Sequence, residues 1–199
     1  NTVVTLGDEV FYGCSALSTA YIGAKDLGEK AFFECNALTS VTFTQGAETI
    51  GDSAFERCQK LYTVSLPAGM RTIGEKAFFY CVRLFAVNLP YGLQSIGAKA
   101  FYDCGELLRI TIPNSVVYVG DGAFQNSGLV EVTLSAGMSE VPRNCFYSCD
   151  RLAKVTVPAG VTTIGDYAFN DCAALKQVSL PQGLTDIGLC AFRYTALSS

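Results

Sequence analysis

The chain of 199 residues contains no histidine and no tryptophan. The missing histidine excludes Ser–His and Cys–His nucleophile pairs and most zinc sites of hydrolases. Charged residues make up 16% of the chain, the net charge is −4 and Lys and Arg do not cluster, so no nucleic-acid partner is expected. No apolar run is long enough to span a membrane, and the glycines do not cluster as in phosphate-binding loops. We therefore expect no enzymatic activity, no cofactor and no membrane insertion by this segment.

The chain does have a repeat. One apolar position recurs every 23 residues, with a single step of 22, at Ile50, Ile73, Ile96, Val119, Val141, Ile164 and Ile187. Such a period is typical of a solenoid, whose units are too small to bury an apolar face alone and stack on their neighbours. Half of the residues are hydrophobic, which suffices for a continuous core. The sequence predicts a single solenoid of about eight coils over residues 1–199.

Residues 61–84 illustrate one unit. Val64 lies between two polar residues, which predicts a half-buried strand, and Pro67 ends that strand at a turn. Gly74 stands where the backbone turns sharply, so we expect a positive φ there. The acidic residue that follows, Glu75, suits the start of a helix of one to two turns.

One phenylalanine of every unit falls in the same repeat position. Stacked coils place identical positions about 4.8 Å apart, the spacing of parallel strands. We expect a buried aromatic column formed by Phe11, Phe32, Phe55, Phe78, Phe101, Phe124, Phe146, Phe169 and Phe192.

The units share the pattern F-x-x-C-x-x-L-x-x-V-x-L-P-x-G-V-x-x-I-G-x-x-A-F, which residues 146–169 match almost letter for letter. This pattern resembles the BspA-type leucine-rich repeat over essentially the whole chain. The resemblance implies a right-handed α/β solenoid dominated by β-structure, with a parallel sheet on its concave side and short helices and turns elsewhere. It also implies a secreted or surface-anchored protein of anaerobic bacteria or parasitic protists, in some cases an adhesin for host or microbial surface proteins.

The units depart from this pattern mainly between residues 125 and 145. The turn at residues 124–129 is one residue shorter than usual, and Pro142 and Cys145 replace the usual Gly and Ala. At the two ends, residues 2–7 match the middle of a unit and residues 190–197 stop inside another. We therefore expect a part of a longer protein that lacks capping units.

Seven of the nine cysteines occupy one repeat position, at Cys14, Cys35, Cys58, Cys81, Cys104, Cys149 and Cys172. Ser127 and Thr195 stand there in two other units, which favours a buried thiol that donates to a backbone carbonyl over a disulfide. A straight row of sulfurs does not form a tetrahedral metal site. Of the remaining two cysteines, Cys145 is expected to be buried, and whether the more exposed Cys190 reacts is left open.

The outward positions of the strands are small and polar in most units, but one row acquires charge at Arg109, Glu131 and Lys154. These charges either pair with each other or mark a contact surface. At a neighbouring position, where other units carry Ser, Thr, Ala or Lys, four consecutive units carry Tyr62, Phe85, Leu108 and Val130. An unrequired apolar stripe indicates either an interface or a surface that a flanking loop covers.

These observations favour an extracellular or cell-surface recognition module that binds a host or microbial surface protein through the stripe and the charges. A passive spacer in a larger surface protein is the first alternative, and it predicts no saturable ligand. Glycan binding is the second alternative, which the absence of Trp weakens.

Overall fold

The computed structural model describes residues 5–198, so residues 2–4 of the expected N-terminal part-unit lie outside its description. Seventeen short strands are joined by turns, and residues 5–198 contain no helix. The strands are β1 (Thr5–Leu6), β2 (Thr19–Ile22), β3 (Asp26–Leu27), β4 (Ser40–Phe43), β5 (Thr49–Ile50), β6 (Thr63–Ser65), β7 (Thr72–Ile73), β8 (Ala86–Val87), β9 (Ser95–Ile96), β10 (Arg109–Thr111), β11 (Tyr118–Val119), β12 (Glu131–Thr133), β13 (Glu140–Val141), β14 (Lys154–Thr156), β15 (Thr163–Ile164), β16 (Gln177–Ser179) and β17 (Asp186–Ile187).

Each complete coil contributes one even-numbered and one odd-numbered strand, and every pairing is parallel. The even-numbered strands form the sheets β2-β4-β6-β8 and β10-β12-β14-β16, which we call the long-strand face. The odd-numbered strands form the sheets β1-β3-β5-β7-β9-β11 and β13-β15-β17, the short-strand face. Register partners such as Val64 and Val87 are one repeat apart in sequence. The parallel-sheet solenoid that the period predicts is thus confirmed.

Side chains of the long-strand face alternate between core and solvent. In β6, for example, Val64 is buried between the exposed residues Thr63 and Ser65. The core also contains the aromatic column, whose fully buried members are Phe32, Phe55, Phe78, Phe101, Phe124, Phe146 and Phe169. Their consecutive rings stack with centroids 5.2–5.5 Å apart, so one aromatic contact recurs in each coil.

The predicted short helix is wrong, because the segment after Gly74 consists of successive tight turns. Lys76 and Tyr80 both adopt left-handed φ values, 52° and 59°, and equivalent pairs four residues apart recur along the stack. The N–H groups of Lys76, Phe78 and Tyr80 donate to carbonyls of the next coil at 2.8–2.9 Å. A helix would use these N–H groups internally. The α part of the predicted α/β class is therefore wrong.

The predicted positive φ at Gly74 is also wrong, since Gly13, Gly46 and Gly122 are the glycines with positive φ in the described range. A Cβ on Gly74 would lie 2.5 Å from Asp52 Oδ1 and 2.7 Å from the Asp52 nitrogen. The glycine is required because the backbones of adjacent coils approach closely here. Asp52 Oδ1 accepts the N–H of Glu75 at 2.7 Å, so this acidic row bonds the next coil instead of a helix terminus.

Each face has one interruption in its parallel pairing within residues 5–198. On the short-strand face, the Gly120 N–H donates to the coil before it, and the Gly165 N–H does the same two coils later. The corresponding residue between them is Pro142, which has no N–H to donate. This accounts for the gap between β11 and β13, inside the stretch that departs from the repeat. On the long-strand face the gap lies between β8 and β10.

We expect Gly97→Ala to lower the free energy of unfolding by about 3 kcal/mol. Its Cβ would lie 2.4 Å from the Glu75 nitrogen and 2.5 Å from the Gly74 carbonyl carbon. The control is Gly105→Ala, whose Cβ would have its nearest neighbour at 3.8 Å. Urea unfolding followed by circular dichroism compares the two variants with the wild type. Equal stability of Gly97→Ala and Gly105→Ala would contradict the close approach of the coils.

Candidate functional site

The outward side chains of the long-strand face form columns because the strand register is constant within each of its two sheets. Arg109 is in register with Glu131, and Glu131 is in register with Lys154. In the first half of the same face, the corresponding column contains Thr63 and Ala86. In the second half, three successive coils therefore carry one charge each with alternating sign, and the next coil carries the neutral Gln177.

These charges remain available to another molecule. Arg109 Nε lies 3.6 Å from Glu131 Oε2, and the two side chains are 78% and 67% exposed. An ion pair this exposed contributes at most about 1 kcal/mol, so either member can exchange its partner easily. Lys154 is exposed and forms no ion pair within residues 5–198.

The four apolar residues beside the charges form a contiguous row, which we call the apolar stripe: Tyr62, Phe85, Leu108 and Val130. Tyr62 and Phe85 are 46% and 45% exposed. Their rings stack with centroids 5.3 Å apart and an interplanar angle of 6°. Leu108 and Val130 are half-buried. The exposed part of the stripe is thus its aromatic end.

Three adjoining grooves, which together we call the trough, run along this part of the long-strand face. The first, of about 420 Å³, is lined by Phe85, Ala86, Val87, Asn88, Leu108, Arg109 and Val130. The second, of about 620 Å³, shares Val130 and includes Glu131 and Lys154. The third, of about 400 Å³, shares Asn88 and Arg109 with the first. Six of the seven predicted contact residues line the trough. The seventh, Tyr62, does not line it but stacks on Phe85, which does.

Sequence reasoning missed the second wall of the trough, which comes from the turns after the strands. Its members are Leu89, Tyr91, Pro113, Leu134, Ala136 and Pro158. Tyr91 is 94% exposed, the largest exposure among the large hydrophobic side chains. The signal was present in the sequence, because the residue after the turn proline is small or polar in other coils and a bulky aromatic only here: Ala68, Asn114, Ala159 and Gln182 against Tyr91.

The trough also overlies the interruption in the long-strand face. The Phe85 N–H donates to the Tyr62 carbonyl at 3.0 Å, and the Val130 N–H donates to the Leu108 carbonyl at 2.8 Å. The equivalent bond from Leu108 to Phe85 is missing in this part of the structure, and β8 does not pair with β10. Phe85 and Leu108 therefore immediately precede two strands, β8 and β10, that no backbone ladder joins.

The cysteines of the repeat position serve the fold. Six of them donate Sγ–H to the carbonyl of a column phenylalanine in the preceding coil at 3.0–3.3 Å: Cys35, Cys58, Cys81, Cys104, Cys149 and Cys172. Cys14, in the first coil described, is exposed. Ser127 lies 3.3 Å from Cys149 Sγ, and since that thiol donates to a carbonyl, the serine hydroxyl is the donor between them. Thr195 instead bonds the Phe192 carbonyl of its own coil.

Burial holds these thiols in the protonated form that donates. It raises the pKa of Cys35, next to the first coil described, to about 11. Burial raises the pKa of Cys149 to about 12, although the Ser127 hydroxyl lowers it somewhat. The pKa values of Cys58, Cys81, Cys104 and Cys172 are also raised by burial. Cys145, in the usual alanine position, is fully buried with a raised pKa, whereas Cys190 is half-buried.

Residues 5–198 hold no group of three or more His, Cys, Asp or Glu side chains placed to bind a metal ion. The same residues include no helix of the length and apolarity that a membrane crossing requires.

The model of the BspA type leucine rich repeat region matches residues 1–107 and 94–199, with six copies. The chain belongs to this family. The resemblance seen in the sequence is thereby confirmed. The matched BspA-type region is a repeat region and indicates no enzymatic family.

Solved structures of bacterial leucine-rich repeat proteins have the same fold. A protein from Bacteroides ovatus is 28% identical with a TM-score of 0.84, over 91% of this chain and 50% of that one. The T. pallidum leucine rich repeat protein is 29% identical with a TM-score of 0.57, over 99% and 72%. A leucine rich cell surface protein from Faecalibacterium prausnitzii is 22% identical with a TM-score of 0.57, over 98% and 82%. This BspA-type chain thus spans half the length of the Bacteroides ovatus structure. No curated protein matches it significantly.

The raised thiol pKa values predict a loss of stability at alkaline pH. Thiols of the unfolded chain ionise around their ordinary pKa of 9.0, whereas buried thiols keep their protons until the higher folded pKa. Stability is therefore complete below pH 9 and falls above it, by up to about 1.4 kcal/mol per pH unit for each buried thiol.

The variant Cys81→Ser tests this directly, because Ser127 already occupies the same repeat position. It removes one ionisable group and retains a donor, so the free energy of unfolding should fall less steeply with pH than in the wild type. Urea unfolding between pH 8 and 10.5 measures how steeply the free energy of unfolding falls with pH in each protein. The difference between the two slopes is the contribution of the Cys81 thiol, because Lys and Tyr titration is common to both proteins. Identical slopes would contradict a raised pKa at Cys81.

Proposed function

We propose that the chain is a protein-binding module of a secreted or cell-surface protein, and that the trough is its contact surface. Membership of the BspA-type family favours the location and the class of function. We choose this surface because an exposed, stacked aromatic pair and three exposed charged side chains lie next to each other along one trough.

The chemistry of the trough suits protein recognition. Aromatic side chains and arginine are the residues that most often dominate binding energy at protein interfaces. Phe85, Tyr91 and Arg109 supply them here, within grooves whose floor is made of small strand residues such as Ala86 and Thr111. The repeat requires none of the three, since some coils carry Ser18 or Thr39 at the position of Phe85, Ala68 at that of Tyr91 and Thr63 at that of Arg109.

The test is a binding screen of the purified chain against immobilised matrix and plasma proteins, microbial surfaces and glycans. The double variant Phe85→Ser, Arg109→Ala should weaken binding to the true partner by about tenfold or more, because it removes an aromatic contact and a charge from the trough. The control, Tyr118→Ser, Arg83→Ala, makes the same chemical changes elsewhere: Tyr118 lies in β11 of the short-strand face, and Arg83 pairs with Glu106 in a turn.

Thermal unfolding of both double variants establishes that they fold. Partner binding that the Phe85→Ser, Arg109→Ala variant retains would reject the trough. Absence of saturable binding by the folded wild type would favour a passive spacer.

Glycan binding is a second candidate, at a different place. A groove of about 350 Å³ on the turn side is lined by Glu34, Asn36, Arg57, Gln59 and Tyr80. It combines an exposed aromatic ring with amide and charged groups that can bond hydroxyls. Glycan binding in the same screen that the trough variant leaves intact would favour this groove.

A further inference from the structure

The spacing of coils along the stack is close to the pitch of an α-helix. The Tyr62 and Phe85 rings, at the aromatic end of the apolar stripe, are 5.3 Å apart, and the column phenylalanines repeat at 4.9–5.5 Å. An α-helix rises about 5.4 Å per turn, so a helix that lies along the stack presents one turn to each coil. An extended strand in the same direction repeats a side-chain face every ~6.8 Å and loses register by nearly one coil after three coils.

The trough presents two parallel rows, each with one residue per coil. One row consists of the three members of the apolar stripe that line the trough, Phe85, Leu108 and Val130. The other is the charged column, in which Arg109, Glu131 and Lys154 occupy consecutive coils. An amphipathic helix carries matching rows, with apolar side chains at i, i+4, i+7 and i+11 and polar side chains beside them.

We propose that the trough binds an amphipathic α-helix of a partner protein, lying along the stack. Its apolar side contacts the stripe, and its adjacent side carries an acidic, a basic and an acidic residue in three successive turns. This inference rests on the proposed protein-binding function and specifies the partner's contact segment.

The charge order follows from complementarity with the column. The acidic residues of the helix face Arg109 and Lys154, and its basic residue faces Glu131. The ion pair between Arg109 and Glu131 is exposed, so exchanging it for pairs with the helix requires little energy. An acid–base–acid order reads the same in both directions, so it holds whichever way the helix runs.

Three synthetic peptides test the proposal, each of 18 residues with an alanine-rich background and a fluorescent label. The first has the apolar row and the acid–base–acid order, and circular dichroism verifies its helicity. The second has the charges exchanged to base–acid–base. The third is the first with a central proline, which breaks the helix without altering the charges. Fluorescence anisotropy with the full chain should show that the first binds at least about tenfold more tightly than either of the others.

The chain variant Arg109→Glu, Glu131→Arg, Lys154→Glu should reverse the preference between the first two peptides. The control variant Tyr118→Ser, Arg83→Ala should leave the preference unchanged. Because all three exchanged side chains are exposed, folding should be retained, and the peptide comparison on the wild type does not depend on this variant.

No binding of the first peptide, or binding of the second or third peptide as tight as that of the first, would overturn the helix proposal. If the screen finds a protein partner that is sensitive to Phe85→Ser, Arg109→Ala while the peptides fail, the trough remains the contact surface and only the helix is rejected. If the chain binds neither the peptides nor any screened protein, both proposals fall.

Discussion

Each coil depends on its neighbours for the hydrogen-bond partners of its polar groups. The alternate N–H groups of Lys76, Phe78 and Tyr80 bond the following coil, whereas the thiol of Cys81 bonds the carbonyl of Phe55 in the preceding one. A buried polar group without a partner costs about 1–3 kcal/mol, so a single coil cannot be stable alone. The same dependence keeps the coils in register, and that register is what aligns the outward side chains into columns.

The solenoid and its core could be predicted from the sequence because burial requires the same residue type at each turn of the stack. The conformation of the turns after Gly74 could not be predicted from the sequence. Ala77, Phe78 and Cys81 have a spacing that fits the buried side of a short helix equally well. What decides against the helix is the bonding of alternate N–H groups to the next coil, and this depends on the stack rather than on local sequence. The prediction of a positive φ at Gly74 was wrong for the same reason, because a glycine is required there by the close approach of a neighbouring backbone and not by its own φ.

The candidate site was predictable only where it departs from the repeat. Phe85 and Arg109 stood out because several other coils carry small or polar residues at their positions. The wall that contains Tyr91 was missed, although the same comparison applies, because the sequence does not reveal that a turn residue four positions after a strand borders a groove. Buried positions carry the same residue type in successive coils, so they predict the fold. Outward positions are free to vary between coils, so their departures from the repeat indicate recognition.

The interruption between β8 and β10 connects the site with the stability of the fold. In the coil that contains Arg109, β10 pairs only with β12 of the following coil, and β11 pairs only with β9 of the preceding coil. Neither face therefore continues unbroken across this coil. What joins this coil to both neighbours is the core column and the row of turns, as in the bond from the Tyr80 N–H to the Tyr102 carbonyl. A partner that contacts Phe85 and Leu108 together connects two coils whose strands β8 and β10 are not paired. Because it binds only the stacked arrangement, its binding free energy adds to the stability of the solenoid at its least continuous point.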